Sequence, residues 1–246
     1  MTARFLFFCD PTFTLYVGKS QVSKKEGYKN MKQGSKIGLY VSLSLLAAFA
    51  LWTVLVCTVD VRAVGPQESR VGLATLNAWV HDLTGVHMTL YTVTDWLGLV
   101  PIGTACGFAV LGLCQWIRRR RLAEVDFGIL AMGVFYLVVM TVYLLFEVMV
   151  INHRPVLIEG RLEASYPSST TMLAASVMPA ALVYLRRHMR GTALRIAMAV
   201  GLIGFTAFMV IGRLVSGVHW VSDIIGGGVI SAGLVTLYAW VTRGRA

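Results

Sequence analysis

From Ile37 onward the chain alternates between long apolar runs and short polar connectors. Six runs are candidate spans: Ile37 to Val59, Trp96 to Ile117, Gly128 to Val150, Thr170 to Leu185, Leu194 to Ile211 and Ile224 to Val241. About 20 consecutive apolar residues of helix cross the hydrocarbon of a bilayer, so the fourth and fifth runs are short for the task. The pattern predicts an all-α, polytopic membrane protein with six transmembrane helices. The connector Asp60 to Asp95 carries its own periodicity. Leu73, Leu76, Trp79, Val80 and Leu83 recur at helical spacing with Asn77, His81 and Asp82 opposite, the signature of an amphipathic helix lying at the membrane surface. His81 and His87 are read as interfacial residues, and Asp95 as the cap of the second span.

Basic residues orient this plan. Lys32 and Lys36 precede the first span, Arg118 to Arg121 follow the second, Arg186, Arg187, Arg190 and Arg195 separate the fourth from the fifth, and Arg243 and Arg245 follow the sixth. With six crossings all of these fall on one side, which the positive-inside rule makes cytoplasmic. Both termini are then inside and the three other connectors face out. A missed or extra helix would put a basic cluster outside.

Composition agrees with the pattern. Of 246 residues 57% are hydrophobic and 14% charged, with a mean hydropathy of +0.70, whereas soluble domains carry about 25% charged residues. The net charge of +10 is gathered in the connectors, which argues against a nucleic-acid partner. Cys57, Cys106 and Cys114 lie in apolar runs without metal-ligand spacing and are read, with Cys9, as small packing residues.

The chain divides into a basic N-terminal segment, 1–36, a first span with its outer amphipathic segment, 37–95, and the remaining five spans, 96–246. Residues 1–30 are expected to be untranslated: Lys24-Lys25-Glu26-Gly27 back-translates to a purine-rich sequence like a bacterial ribosome-binding site, a few codons before Met31. The alternative is a basic cytoplasmic tail.

The polar residues that interrupt apolar sequence carry the candidate chemistry. Between Leu194 and Thr242 the strongly polar side chains are Arg195, Arg213, His219 and Asp223. His219 and Asp223 are four apart, one helical turn on one face, and a carboxylate beside an imidazole fixes its tautomer and raises its basicity. Such a histidine can act as a nucleophile. Asp223 as a helix-start cap and Arg213 as a membrane-edge cation is the plainer alternative. Arg213 offers a planar fork suited to phosphate oxygens. The second outer connector supplies Asn152-His153-Arg154-Pro155, then Glu159-Gly160-Arg161-Leu162-Glu163, then Tyr166-Pro167-Ser168-Ser169-Thr170-Thr171. Pro167 with two serines and two threonines resembles a helix N-terminus, where free amides and the positive dipole end attract anions.

Arg154-Pro155, Pro167-Ser168-Ser169-Thr170, and Arg213 followed by His219 and Asp223 resemble, in order and membrane placement, the three motifs of the type 2 phosphatidic acid phosphatase and vanadium haloperoxidase superfamily. The resemblance implies an all-helical core, six spans in the membrane members and an active site at the outer surface. It also implies roles. Arg154 and Arg213 would hold phosphate oxygens, Ser168 and the Ser169 amide would complete an oxyanion pocket, His219 would attack phosphorus, and Asp223 would orient His219. It implies no metal and no cofactor.

Three positions depart from the family pattern. Glu147 stands where the family has a lysine, Thr170 where it has the histidine that protonates the leaving group, and Gly212 where it has a serine. An alkoxide leaving group needs that proton, since its conjugate acid has a pKa near that of water, about 16. A phosphate leaving group does not, its own pKa being about 6. General acid catalysis contributes on the order of a hundred- to ten-thousand-fold. The chain is therefore expected to prefer diphosphates, with His153 the best substitute acid and Arg161 a possible replacement cation.

The expected function is an extracytoplasmic phosphoric ester or anhydride hydrolase, a lipid phosphate or diphosphate phosphatase acting through a phosphohistidine at a bacterial plasma membrane. Its expected partner is a membrane lipid phosphate, with no nucleic acid. The alternative is a catalytically degenerate family member that binds or moves a phospholipid. A channel or transporter would call for an internal repeat or several charges mid-span, and neither is evident.

Overall fold

The computed structural model describes residues 36–189 and 191–243. The expectation about residues 1–30, and Lys32, Arg190 and Arg245 of the orientation argument, lie outside them. Helix α1 (Lys36–Thr58) opens the described chain. A two-residue antiparallel hairpin follows, β1 (Arg62–Ala63) and β2 (Arg70–Val71). Then come α2 (Ala74–Thr84), α3 (Met88–Leu97), α4 (Leu99–Arg119), α5 (Phe127–Met149), α6 (Ser169–His188), α7 (Thr192–Val215) and α8 (Val221–Val241). Apart from the hairpin and two short 3-10 turns, the regular structure of the described residues is helical.

Five helices are long and apolar enough to cross a membrane: Lys36–Thr58, Met88–Arg119, which runs through α3 and α4, Phe127–Met149, Thr192–Val215 and Val221–Val241. The protein is thus a multi-pass membrane protein. The segment expected as the fourth span forms α6, a 20-residue helix that is not among the five. The reason lies in where α6 packs. It contacts α4, α5, α7 and α8 and buries Thr171, Met172, Ala174, Ser176, Val177, Met178, Ala180, Ala181, Leu182 and Tyr184. A helix surrounded by protein needs small, mixed side chains, while one facing lipid needs a continuous apolar coat. Val200, Ile203 and Ile211 of α7 and Val134, Leu137 and Val148 of α5 are accordingly exposed.

Between α6 and α8 close approach replaces side-chain bulk. A Cβ on Gly226 would stand 2.8 Å from the Tyr166 ring, and one on Gly227 would stand 3.0 Å from the Ser168 carbonyl oxygen. Ser176 and Ser231 join the two helices by a hydroxyl hydrogen bond of 3.0 Å, a device suited to small-residue interfaces in lipid. Apolar packing continues through Phe49, Phe146 and Tyr166, with Phe49 edge-on to Phe146 and stacked on Tyr166.

The expected surface helix is α2, within one residue of its predicted limits. Its Asn77 points inward, and its His81 lies against the turn between α7 and α8, with Nε2 3.2 Å from the Gly217 carbonyl and the ring 5.5 Å from that of Trp220. His81 thus supports that turn, beyond the interfacial role expected of it. Asp95 does not cap the second span; it sits in the last turn of α3 and turns its carboxylate to Arg213.

Candidate active site

Helix α7 ends where Gly217 takes a left-handed conformation, φ +67°, and a Cβ there would lie 1.9 Å from the Gly85 carbonyl oxygen. Only glycine fits so close an approach with that backbone. The His87 amide donates to the Ser216 carbonyl at 3.0 Å, which fastens the α2–α3 connector to the same turn. His219 follows, then Trp220 at the start of α8. The Trp220 amide donates to Asp223 Oδ2 at 3.1 Å, so Asp223 caps α8 and faces His219 at once. The cap expected by the plainer reading is thus present, with the carboxylate also beside His219.

The carboxylate is held from every side. Asn152 Nδ2 donates to Asp223 Oδ1 at 3.1 Å and Ser222 Oγ at 3.3 Å. Asn77 in turn donates to Ser222 Oγ at 2.9 Å, and Asn152 Oδ1 accepts from the Gly72 amide at 3.1 Å. Asn77, Asn152, Ser222 and Asp223 are all fully buried. Buried polar groups are tolerated when each finds a partner, and a network so satisfied fixes one geometry. Sequence reasoning missed the parts played by Asn152 and Asn77. The available signal was Asn152 directly preceding His153 and Arg154, and Asn77 lying on the polar face of α2.

His219 is the opposite case. It is 3% exposed, its Nδ1 lies 3.9 Å from Asp223 Oδ2, and neither ring nitrogen has a hydrogen-bond partner. At 3.9 Å the contact with Asp223 is electrostatic and too long for a hydrogen bond. Burial pushes its pKa down to about 4; the Asp223 carboxylate works against that shift, and Arg154 and Arg213 add to it. The ring is therefore neutral near pH 7 and keeps a free lone pair.

A cavity of about 490 Å³ opens beside it. His219, His153, Arg154 and Ser169 line it together with Glu147, Glu163, Tyr143 and Tyr166. Arg154 Nε stands 3.1 Å from Glu163 Oε2 without hydrogen-bond alignment, and its Nη1 has no partner. The Arg154 amide donates to the Glu163 carbonyl at 3.0 Å, and Trp220 Nε1 donates to the His153 carbonyl at 2.7 Å. These two bonds tie the second outer connector to the start of α8.

Ser168 caps α6, its Oγ accepting from the Thr171 amide at 3.5 Å, and its own amide donates to the Asp223 carbonyl at 3.1 Å. It is fully buried and lies outside the cavity lining, whereas Ser169 is part of it. Arg213 also lies outside the lining. It is 1% exposed and donates from Nη2 to Asp95 Oδ1 at 2.7 Å and to Thr170 Oγ1 at 2.6 Å. Both arginines approach the Tyr91 ring, with guanidinium carbons 4.8 Å (Arg213) and 5.9 Å (Arg154) from its centroid. The structure thus gathers His219, His153, Arg154 and Ser169 about one cavity; Asp223 stands behind His219, and Ser168 and Arg213 lie outside the lining. Among the described residues no group of three or more His, Cys, Asp or Glu side chains could hold a metal ion.

A family model described as the PAP2 superfamily matches residues 101–246, more than half of the chain and all three motifs. The chain belongs to the PAP2 superfamily. A solved structure, described as the first transmembrane PAP2 type phosphatidylglycerolphosphate phosphatase from Bacillus subtilis, is similar at 20% identity and a TM-score of 0.49, over 82% of this chain and 94% of that one. Likeness at that level bears on neither substrate nor mechanism. No protein of curated function matches significantly. For this PAP2 member the fold class is all-helical and the setting a membrane, in keeping with phosphatase chemistry in general.

Proposed function

We propose that this PAP2 protein is an extracytoplasmic lipid phosphohydrolase that works through a phosphohistidine on His219 and prefers diphosphates to monoesters. One observation carries the reading: a buried, neutral imidazole with both nitrogens unspent faces a cavity shared with a partly free arginine. Histidines that serve only packing are expected to have their ring nitrogens satisfied when buried.

The proposed order of steps rests on that geometry. Nδ1 is the nitrogen nearer Asp223 and carries the proton, so Nε2 attacks phosphorus. The bridging P–O bond breaks as the P–N bond forms, and its electron pair leaves with the departing phosphate. The ring becomes cationic, and the Asp223 carboxylate, already fixed by Asn152 and Ser222, stabilises it. Water then attacks phosphorus, the P–N electrons return to Nε2, and the water proton passes to the released phosphate. Arg154, through its unpartnered Nη1, and the Ser169 side of the α6 N-terminus would hold the equatorial oxygens. In this scheme Asp223 is a positioning residue and His219 the nucleophile.

The preference for anhydrides follows from Thr170. Its Oγ accepts from Arg213 and has too high a pKa to serve as an acid near neutrality. His153 lines the cavity and is the ring able to protonate weaker leaving groups. Taking the two basic connectors and both basic termini as cytoplasmic puts this cavity on the outer face. One observation favours a second reading, a lipid-binding member without hydrolysis: Arg213 is already engaged by Asp95.

The test is phosphate release by purified protein from a polyprenyl diphosphate and from phosphatidic acid, each beside His219→Ala. Release from the diphosphate, lost by a thousandfold or more in the variant, is expected. Equal release from phosphatidic acid would overturn the anhydride preference. Absence of release from both, with lipid binding intact, would leave the second reading.

A further inference from the structure

The cavity beside His219 offers little positive charge to a phosphate. Arg154 is the one lysine or arginine in its lining, and Glu163 stands 3.1 Å from its Nε. Glu147 is the second carboxylate of the lining, and among the described residues no cation pairs with it. It occupies the position where the family pattern has a lysine. Arg213, the other phosphate-binding candidate, is matched by Asp95. Two carboxylates against one arginine leave the cavity short of positive charge, although its buried, unpartnered His219 marks it as a place where a ligand belongs. Glu147 is exposed and Glu163 half-exposed, so a dianion entering alone would pass two carboxylates at the rim with one arginine to attract it.

Glu147 has company suited to a different group. Tyr143 and Glu147 are four residues apart on α5, hence on one face of the helix, and both line the cavity. A carboxylate next to an aromatic ring is the arrangement that receives an alkylammonium, by ion pairing and by cation–π attraction. We propose that this cavity takes a phosphate lipid that carries its own cation: an ammonium group close to the phosphate, seated on Glu147 and Tyr143 while Arg154 and His219 address the phosphorus. The inference rests on the reading of the cavity as a phosphate-lipid site and names the substrate class that site accepts. Glu147 is the specificity-determining residue, and the loss of the family's lysine becomes a change of substrate charge.

The experiment compares a long-chain β-aminoalkyl diphosphate with its N-acetyl derivative, which has the same phosphate charge and no ammonium. Binding is measured by calorimetry on the full chain in detergent, with His219→Ala so that neither ligand is consumed. The amine should bind about tenfold more tightly. Glu147→Gln should bring the two affinities together, and Glu147→Lys should reverse their order, which a merely misfolded variant would not do. A ratio near one in the parent protein, a ratio unchanged in Glu147→Gln, or no measurable binding of the amine would each overturn the proposal. Recovery of N-acetyl binding by added Mg²⁺ would give the carboxylates to a metal cation instead, and would also overturn it. Phosphate release from the amine by the wild-type chain is followed separately. A preserved binding ratio without release would sink the phosphohydrolase reading and leave the ammonium site standing.

Discussion

Helix α6 has a histidine–aspartate pair near each end, and the two pairs are built to opposite rules. In its C-terminal turn, His188 Nε2 contacts Asp126 Oδ2 at 3.1 Å, its Nδ1 lies 2.9 Å from the Tyr184 carbonyl, and the ring stacks on Tyr184 at 4.1 Å. Asp126 also accepts from the Gly128 amide at 2.7 Å as the cap of α5. The imidazole has used both nitrogens, and with side chains 37% and 23% exposed the pair contributes little, about 1 kcal/mol or less. At the N-terminal end, His219 has used neither nitrogen and is buried. There the carboxylate is saturated and the imidazole idle. A shared residue pairing therefore says little about role; what distinguishes the two is which partner has hydrogen-bonding capacity left over, and on which side a cavity lies.

This contrast can be broken by experiment. The largest effect should come from Asp223→Asn, which keeps the volume and loses the charge that stabilises a cationic ring. Phosphate release should fall on the order of a thousandfold or more, by analogy with the carboxylate of hydrolase triads, while Asp126→Asn should leave it within about twofold. Comparable losses in both would remove the distinction. Asn152→Ala comes next. It frees Asp223 Oδ1 of one donor, and supporting residues of this kind typically matter ten- to a hundredfold; a change in kcat without a change in KM would mark positioning.

Acid should expose the burial of His219 through stability. The pKa of His219 is held near 4 in the folded chain and returns to about 6.5 on unfolding. Between those values the unfolded chain binds a proton that the folded chain refuses, so stability falls as pH drops from about 6.5 to about 4 and then levels. The loss should be on the order of a few kcal/mol, readable as a falling melting temperature in detergent. His219→Gln should flatten that slope. The smallest effect is that of His188→Gln near pH 7, about 0.5 kcal/mol of stability with phosphate release unchanged.

Arg213 shows why a motif alone misleads about availability. Its ion pair with Asp95 joins a side chain 1% exposed to one 58% exposed, so solvent screens it and the pair adds only about 1 kcal/mol. Its weight lies elsewhere: it occupies the guanidinium that the family pattern assigns to phosphate.

Much of this could be read in the chain itself. Apolar runs and basic connectors follow from the demand of lipid for uncharged, internally hydrogen-bonded helices, and they marked five of the membrane helices. Local spacing marked α2 from its heptad-like stripe; it also put His219 within reach of Asp223, although His219 sits in the bend before α8 and shares no helical face with Asp223. The order of the motifs was sufficient for membership of the family. The departures at Glu147 and Thr170 were visible too.

Tertiary structure alone decided the rest. It gave Asp223 its other partners in Asn152 and Ser222, left the nitrogens of His219 bare, turned Asp95 from a cap to the partner of Arg213, and set Glu147 in the same cavity as Arg154. It also made α6 the protein-facing helix, which its length and its serines and threonines left open. The physical reason is common to these cases. A side chain's chemistry depends on which donors, acceptors and charges surround it once water is excluded, and those neighbours come from distant segments that meet only when the helices pack.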